Sequence, residues 1–289
     1  MRAAVLALCL VWPLGARATE LDARLESNLL PPGSVAVCRV RGLAPQGLVL
    51  AGLHQEAGFY FSPADQCLVA LLAVPLDTRP GPRSLTLAWP GHSQALALNV
   101  GPDPYPRRRI RVEGLQRRLE HAETRGEAGL MKEAFDSDLD SPPLWHGRMA
   151  WPITFTPTVT SPYGAARVYN RGEAGWRHQG VDLRAPDGST ILAAADGVVL
   201  LARHHLALSG NTVLLDHGYG LVSAYFHLSR LAVSPGQKVA KGQVLGLSGH
   251  SGLSAGPHLH FELRLRGYSV SPTPWMQGQS ADPPAAYPN

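Results

Sequence analysis

The stretch Gly256-Pro257-His258-Leu259-His260-Phe261-Glu262 (GPHLHFE) sets two histidines one residue apart, behind a Gly-Pro turn and inside an apolar run. A turn dipeptide followed by alternating side chains reads as a β-strand. In a strand, residues i and i+2 share a face. His258 and His260 then project together, while Leu259 and Phe261 face the other way. Two imidazoles on one face suit two metal ligands, or one ligand and one catalytic base. They also suit two polar positions on a solvated face, which is the commoner case for an isolated pair, so the balance has to come from elsewhere in the chain.

The surrounding chain is strand-rich. From Trp151 onward the pattern predicts strands at 191–195, 197–202, 212–216, 221–227, 243–247 and 258–265, with almost no helical periodicity. Turns such as Asp216-His217-Gly218 and the stretch VSPGQKVAKG (233–242) punctuate an antiparallel β-domain. The first half is also β-rich. Short apolar segments at 34–40, 47–53, 68–74, 84–89 and 95–100 are separated by Pro-Gly breaks, the spacing of an immunoglobulin-like β-sandwich. Between the halves, Leu115, Leu119, Leu130, Met131 and Phe135 sit among charges. This predicts a helical connector over 113–135, interrupted at Gly126 and Gly129, and an acidic, proline-containing linker after it.

Composition narrows the partners. The 289 residues carry a formal net charge of +4, and 45% are hydrophobic, enough for a packed core. The basic residues are scattered, and the run Arg107-Arg108-Arg109-Ile110-Arg111 reads as a solvated strand edge, so nucleic acid is not expected as a partner. Arg2, the apolar run 3–14 and the small-x-small site Ala16-Arg17-Ala18 have the layout of a secretory leader, residues 1–18. No transmembrane segment is expected in the mature chain, which is placed outside the cytoplasm, periplasmic or extracellular. Without the leader two cysteines remain, Cys38 and Cys67, and an oxidising compartment predicts a disulfide between them.

Of the twelve histidines, His54, His92, His121 and His146 share no pattern and read as surface residues. His204, His205 and His250 read as loop residues, and His217 as a turn residue. The segment Trp176-Arg177-His178-Gln179-Gly180-Val181-Asp182 is different. In an extended chain it sets His178 and Asp182 on one face, with Gly180 leaving space between them. Imidazole and carboxylate are compatible zinc ligands. One imidazole of the His-Leu-His pair would complete three protein ligands, the open arrangement of a catalytic zinc. The other, or His227 in AYFHLS, could then act on water or substrate.

In order along the chain, His178-x-x-x-Asp182, Tyr225-Phe226-His227-Leu228-Ser229 and Gly256-Pro257-His258-Leu259-His260-Phe261 resemble the lysostaphin-type (LytM-like) zinc endopeptidases. The resemblance extends to SPYG (161–164), GVDLRAPDGSTILAAADGVV (180–199), NTVLLDHGYGL (211–221) and VSPGQKVAKGQVLGLSGHSG (233–252), and covers roughly 151–270. It implies one Zn²⁺ held by His178, Asp182 and His260. It implies that His227 and His258 form the pair that activates the attacking water and steadies the tetrahedral intermediate. The implied substrate is the peptide cross-links of bacterial peptidoglycan. Members that cut pentaglycine bridges carry a tyrosine shortly before the first ligand. Here 171–177 has only Trp176, which favours D-alanyl cross-links.

The expected divisions are a leader (1–18), an immunoglobulin-like β-domain (19–112), a helical connector and linker (113–145), a barrel-sandwich antiparallel peptidase domain (146–277) and a tail (278–289). Arg167 and Asn170 are candidates for meeting substrate carboxylates, and Glu262 for orienting an imidazole. One other reading stays open, a peptidoglycan-binding or activator protein of the same fold, non-catalytic or autoinhibited. A carrier module is disfavoured: Lys238 and Lys241 flank a turn, but no hairpin-tip motif for covalent attachment is evident, and a secretory leader argues against that attachment.

Overall fold

Alternation in the first half becomes two facing sheets. In the strand Val35–Arg41 the buried positions are Ala36, Cys38 and Val40, and in Gly81–Trp89 they are Leu85 and Leu87. Such a period of two turns one face of each strand inward. The computed structural model describes residues 21–110, 122–136, 141–169 and 173–277. The predicted leader, the tail and Asn170 lie outside the described residues. One sheet runs Asp22–Leu25, Val35–Arg41, Cys67–Ala73, Tyr60–Ser62, antiparallel throughout. The other runs Leu29–Leu30, His92–Val100, Gly81–Trp89, Val49–Gly52, Gln55–Gly58, with only its first pair parallel. The Gln55 amide joins the two sheets, donating to the Ala73 carbonyl at 2.8 Å and accepting from its N–H at 3.1 Å. The chain is mainly β, as the alternation predicts.

The predicted disulfide is not formed: Cys38 and Cys67 are both buried free thiols. Register explains why. Cys38 stands opposite Ala70 on the neighbouring strand, so Cys67 lies three residues further along. At ~3.3 Å per residue that is roughly 10 Å, beyond the ~7 Å Cα separation a disulfide can bridge. Burial pushes the Cys38 thiol up to about 12, so it behaves as an apolar side chain.

The second half is organised by a large antiparallel sheet in the order Val159–Ser161, Val181–Leu183, Leu259–Leu265, Leu221–Leu228, Gly210–Asp216, Gly197–Leu206, Lys238–Val239. The strand Tyr268–Val270 pairs on the side with Leu259–Leu265. A smaller antiparallel sheet, Thr190–Leu192, Val244–Leu247 and Arg230–Leu231, packs beside it. Tyr225, Phe261, Leu183 and Leu215 are fully buried in the core.

The connector departs from the expectation in one way: the described helix, Ala122–Phe135, runs through Gly126 and Gly129 without a break. Phe135, Met131 and Ala134 pack on Leu214, Val222 and Ala224 of the large sheet. Beyond residue 140 the chain crosses the 217–219 turn, with the Leu144 N–H donating to the His217 carbonyl at 2.7 Å. The sandwich and the second half share one continuous apolar cluster. The Tyr219 hydroxyl donates to the Gly58 carbonyl at 2.5 Å and accepts from the Leu71 N–H at 3.2 Å. Gly33, at φ 79°, leaves the room that Tyr163 fills, since a Cβ there would lie 2.5 Å from the Tyr163 ring.

Candidate metal centre

Strand register brings the predicted ligands to one face. Asp182 stands opposite His260, and His260 opposite Phe226 on the far side. The Phe226 ring stacks flat on the His260 imidazole, centroids 5.3 Å apart and 8° between planes. His178 arrives from the loop after the strand Glu173–Arg177, held by its N–H to the Ala165 carbonyl. The three ligand atoms close into a triangle. His178 Nε2 lies 3.0 Å from Asp182 Oδ1 and 3.0 Å from His260 Nδ1, and His260 Nδ1 lies 2.8 Å from Asp182 Oδ1.

The opposite nitrogen of each imidazole is already committed. His178 Nδ1 donates to the Pro162 carbonyl at 2.9 Å, and His260 Nε2 to Glu262 Oε1 at 3.0 Å. With those protons committed, the three facing atoms of the neutral rings and the carboxylate are acceptors, and a positive charge, whether a metal ion or an added proton, holds them together. A tetrahedral zinc with bonds of ~2.0–2.1 Å has ligand–ligand edges of roughly 3.3 Å, so the triangle is a few tenths of an ångström tight. Two imidazoles and a carboxylate, with one corner open, fit the donor set of a catalytic zinc.

The same need for positive charge shows in the titration. Burial opposes charge on Asp182, but hydrogen bonds from His178 and His260 outweigh it and hold its carboxyl well below the usual carboxylate range. Burial also works against a charged His260, yet the Asp182 and Glu262 carboxylates lift it to about 9. Without a cation, a proton on His260 supplies the charge. Glu262 is opposed by burial but is lowered to about 2 by Arg264 and His260.

The two other histidines of the predicted site line its open side. The ring centroids of His227 and His258 are 4.8 Å apart, and His258 Nε2 lies 3.7 Å from Asp182 Oδ1. His227 Nδ1 donates to the Ser251 carbonyl at 2.8 Å, and His258 Nδ1 to the Gly256 carbonyl at 2.9 Å. Both rings are therefore anchored through Nδ1. Burial lowers His227 to about 3, helped by the neighbouring imidazoles, so it is neutral. A bulge aims it. Asn211 pairs with Leu228 but Val213 with Tyr225, so the His227 strand carries an extra residue here. His227 takes a left-handed φ of 63° at this point. That turns its side chain toward the triad instead of into the core beside Tyr225.

Other expectations fare differently. A Cβ on Gly180 would lie 2.4 Å from the Phe261 carbonyl, so Gly180 permits close backbone approach to the His260 strand. His217 stands in its turn as predicted, but it is fully buried. It is tied to the Asp196 carbonyl at 2.7 Å and to Ser223 Oγ at 2.7 Å. Burial lowers it to about 4. Arg167 lies on the strand Ala166–Tyr169, opposite Arg108. Lys241, a carrier candidate, is bonded to the Arg148 carbonyl. The carbonyls of Pro162 and Ser251, which set two imidazole tautomers, were missed, because backbone acceptors have no residue signature. A cavity of about 570 Å³ lies apart from His178, His227, His258 and His260, between the sandwich, residues 142–147 and Trp275.

Residues 176–272 match the family described as Peptidase family M23. The chain is 36% identical over 137 residues to the peptidoglycan DD-endopeptidase ShyA of Vibrio cholerae, covering 47% of this chain and 31% of that protein. It is 38% identical over 122 residues to the DD-carboxypeptidase/endopeptidase Mpg of Neisseria meningitidis, covering 42% of this chain and 27% of that one. The chain thus spans less than a third of the length of these relatives. A crystal structure of a putative M23 peptidase from Pseudomonas aeruginosa superposes with a TM-score of 0.61 at 25% identity, over 86% of this chain and 95% of that one.

Proposed function

We propose, from the match of residues 176–272 to Peptidase family M23 and from the geometry of the site, that the protein is a zinc-dependent endopeptidase acting on the peptide cross-links of bacterial peptidoglycan. The observation that carries this is the closed triangle of ligand atoms on His178, Asp182 and His260, a donor set that fits a metal ion, beside the imidazoles of His227 and His258. The chemistry that zinc supplies in such a setting is polarisation of the scissile carbonyl and easier deprotonation of the attacking water.

The chain's own residues do the rest. His227, neutral and anchored through Nδ1, presents Nε2 to take the proton of the attacking water. His258, anchored on the Gly256 carbonyl through Nδ1, would in its doubly protonated form donate from Nε2 to the developing oxyanion, while the proton that His227 takes from the water goes on to the leaving amine. The C–N bond breaks, the acyl carbon gains the oxygen of water, and the amine leaves with the proton. Phe226 and Glu262 fix the plane and tautomer of His260.

The relatives' names support peptidoglycan as substrate. The absence of a tyrosine in 171–177 supports D-alanyl bonds over glycyl ones. Export rests on the leader-like residues 1–18; among the described residues no helix is long and apolar enough to cross a membrane.

The test is zinc stoichiometry followed by muropeptide release from purified sacculi. We expect one zinc per chain, release abolished by chelation and restored by zinc, and products whose masses show cleavage at D-alanine. Release that persists after chelation and in His178→Ala would overturn the proposal.

A further inference from the structure

Glu127 is a buried carboxylate, 7% exposed, on the helix Ala122–Phe135, outside the residues that match the family. Its Oε2 accepts from the Leu208 N–H at 2.8 Å. Its Oε1 accepts from the Ser209 N–H at 2.9 Å and from Ser209 Oγ at 2.6 Å. Leu208 and Ser209 form the turn between the strands Gly197–Leu206 and Gly210–Asp216.

That turn holds His227 from two directions. The Ser209 carbonyl accepts the His227 backbone N–H at 2.9 Å. The Asn211 N–H donates to Ser251 Oγ at 2.8 Å, and the Leu208 carbonyl accepts from Leu253 at 2.8 Å. Between those contacts lies the Ser251 carbonyl, which takes the His227 Nδ1–H at 2.8 Å. The two loops interlock at glycines, where a Cβ on Gly252 would lie 2.4 Å from the Gly210 nitrogen. The turn therefore sets both the backbone and the ring of His227, and Glu127 occupies the donors that would otherwise leave the turn unanchored.

We infer that Glu127 is a positioning residue for His227, through which the connector helix holds the catalytic side of the site in register. The inference rests on the functional reading above and extends it to a residue beyond the M23 match. The far end of the helix braces the opposite side. The Arg264 guanidinium lies 4.2 Å over the Phe135 ring and holds Glu262, the partner of His260.

The experiment uses the full zinc-loaded chain with Glu127→Gln and Glu127→Ala. Its readouts are zinc content, steady-state hydrolysis of purified muropeptide dimers, and solvent exchange of the His227 Nδ1–H by NMR. Both variants are expected to keep their zinc and to hold KM within about twofold, since neither ligands nor substrate contacts change. A displaced catalytic group predicts a fall in kcat of roughly 10- to 100-fold for the alanine variant. The fall should be smaller for glutamine, which keeps one acceptor. Exchange of the His227 proton should quicken in the same order. Wild-type kcat and exchange in both variants would overturn the inference. So would a fall in kcat matched by an equal loss of folded, zinc-loaded protein with His227 exchange unchanged. Should the wild type hydrolyse no muropeptide, the functional reading fails instead, and proton exchange alone decides whether Glu127 positions the ring.

Discussion

Each imidazole of the site ties one nitrogen to an acceptor and shows the other to the centre. For His260 the acceptor is Glu262, itself bonded to Arg264 at 3.1 Å. Replacing Glu262 by Gln removes the charge that makes His260 a stronger ligand while keeping the side chain's shape. Zinc affinity should then fall by roughly 10- to 100-fold, read by competition with a chromophoric chelator. An affinity within twofold of wild type would show that the carboxylate does not tune the ligand. At this scale the sequence was legible wherever chemistry needs a particular side chain at a fixed spacing, as in His178-x-x-x-Asp182 and His258-Leu259-His260. It was illegible where the backbone supplies the partner, as at Pro162 and Ser251. At Gly180 the atoms that a Cβ would meet, the Phe261 carbonyl at 2.4 Å, the Glu262 side chain at 2.8 Å and His260 Nε2 at 2.9 Å, all come from a strand distant in sequence, so spacing alone does not reveal them.

Among the elements, the strands could be read from alternation, but the bulge that aims His227 could not. It is a property of pairing with Gly210–Asp216, and nothing in AYFHLS shows it. The interlocked loops beside it give a sharp prediction. Gly252 has φ 72°, and a Cβ there meets the Gly210 nitrogen at 2.4 Å and the Leu208 carbonyl at 2.6 Å. Gly252→Ala should cost about 1–3 kcal/mol in backbone strain alone. It should also lower hydrolysis while leaving zinc stoichiometry at one, because no ligand lies on that loop. Equal activity in the variant would mean the two loops part without consequence. The helix makes the opposite case. Gly126 and Gly129 were expected to break it, yet the helix continues because Phe135, Met131 and Ala134 pack on the sheet. A Cβ at either glycine meets nothing within 4 Å. Gly126→Ala and Gly129→Ala should each stabilise the protein by about 1 kcal/mol, a rise of roughly 2–4 °C in Tm. An unchanged Tm would show that the helix does not share in the unfolding transition.

For the whole molecule, the domain division expected from composition understates how closely the halves are joined. Tyr219 and Tyr163 of the second half bury their rings against the sandwich, and one apolar cluster crosses between them. Side chains meeting across so many intervening residues leave no periodic trace, so only the separate sheets were legible. A shared core implies that a buried charge anywhere destabilises the whole chain, and His217 is the place to test it. Its burial lowers it to about 4, against about 6.5 in an unfolded chain. Between those values the unfolded state binds the proton more readily, so stability falls as pH drops below about 6.5 and keeps falling until pH 4. From pH 7.5 to 4.5 this one group should remove about 2.5 kcal/mol. His217→Gln cannot take up the proton. The stability gap between wild type and variant, measured by denaturant unfolding, should therefore shrink by about that amount over the same interval. A gap that stays constant would mean His217 is not held neutral in the fold. A shrinking gap seen in one of two separate transitions would mean the two halves unfold independently despite their common core.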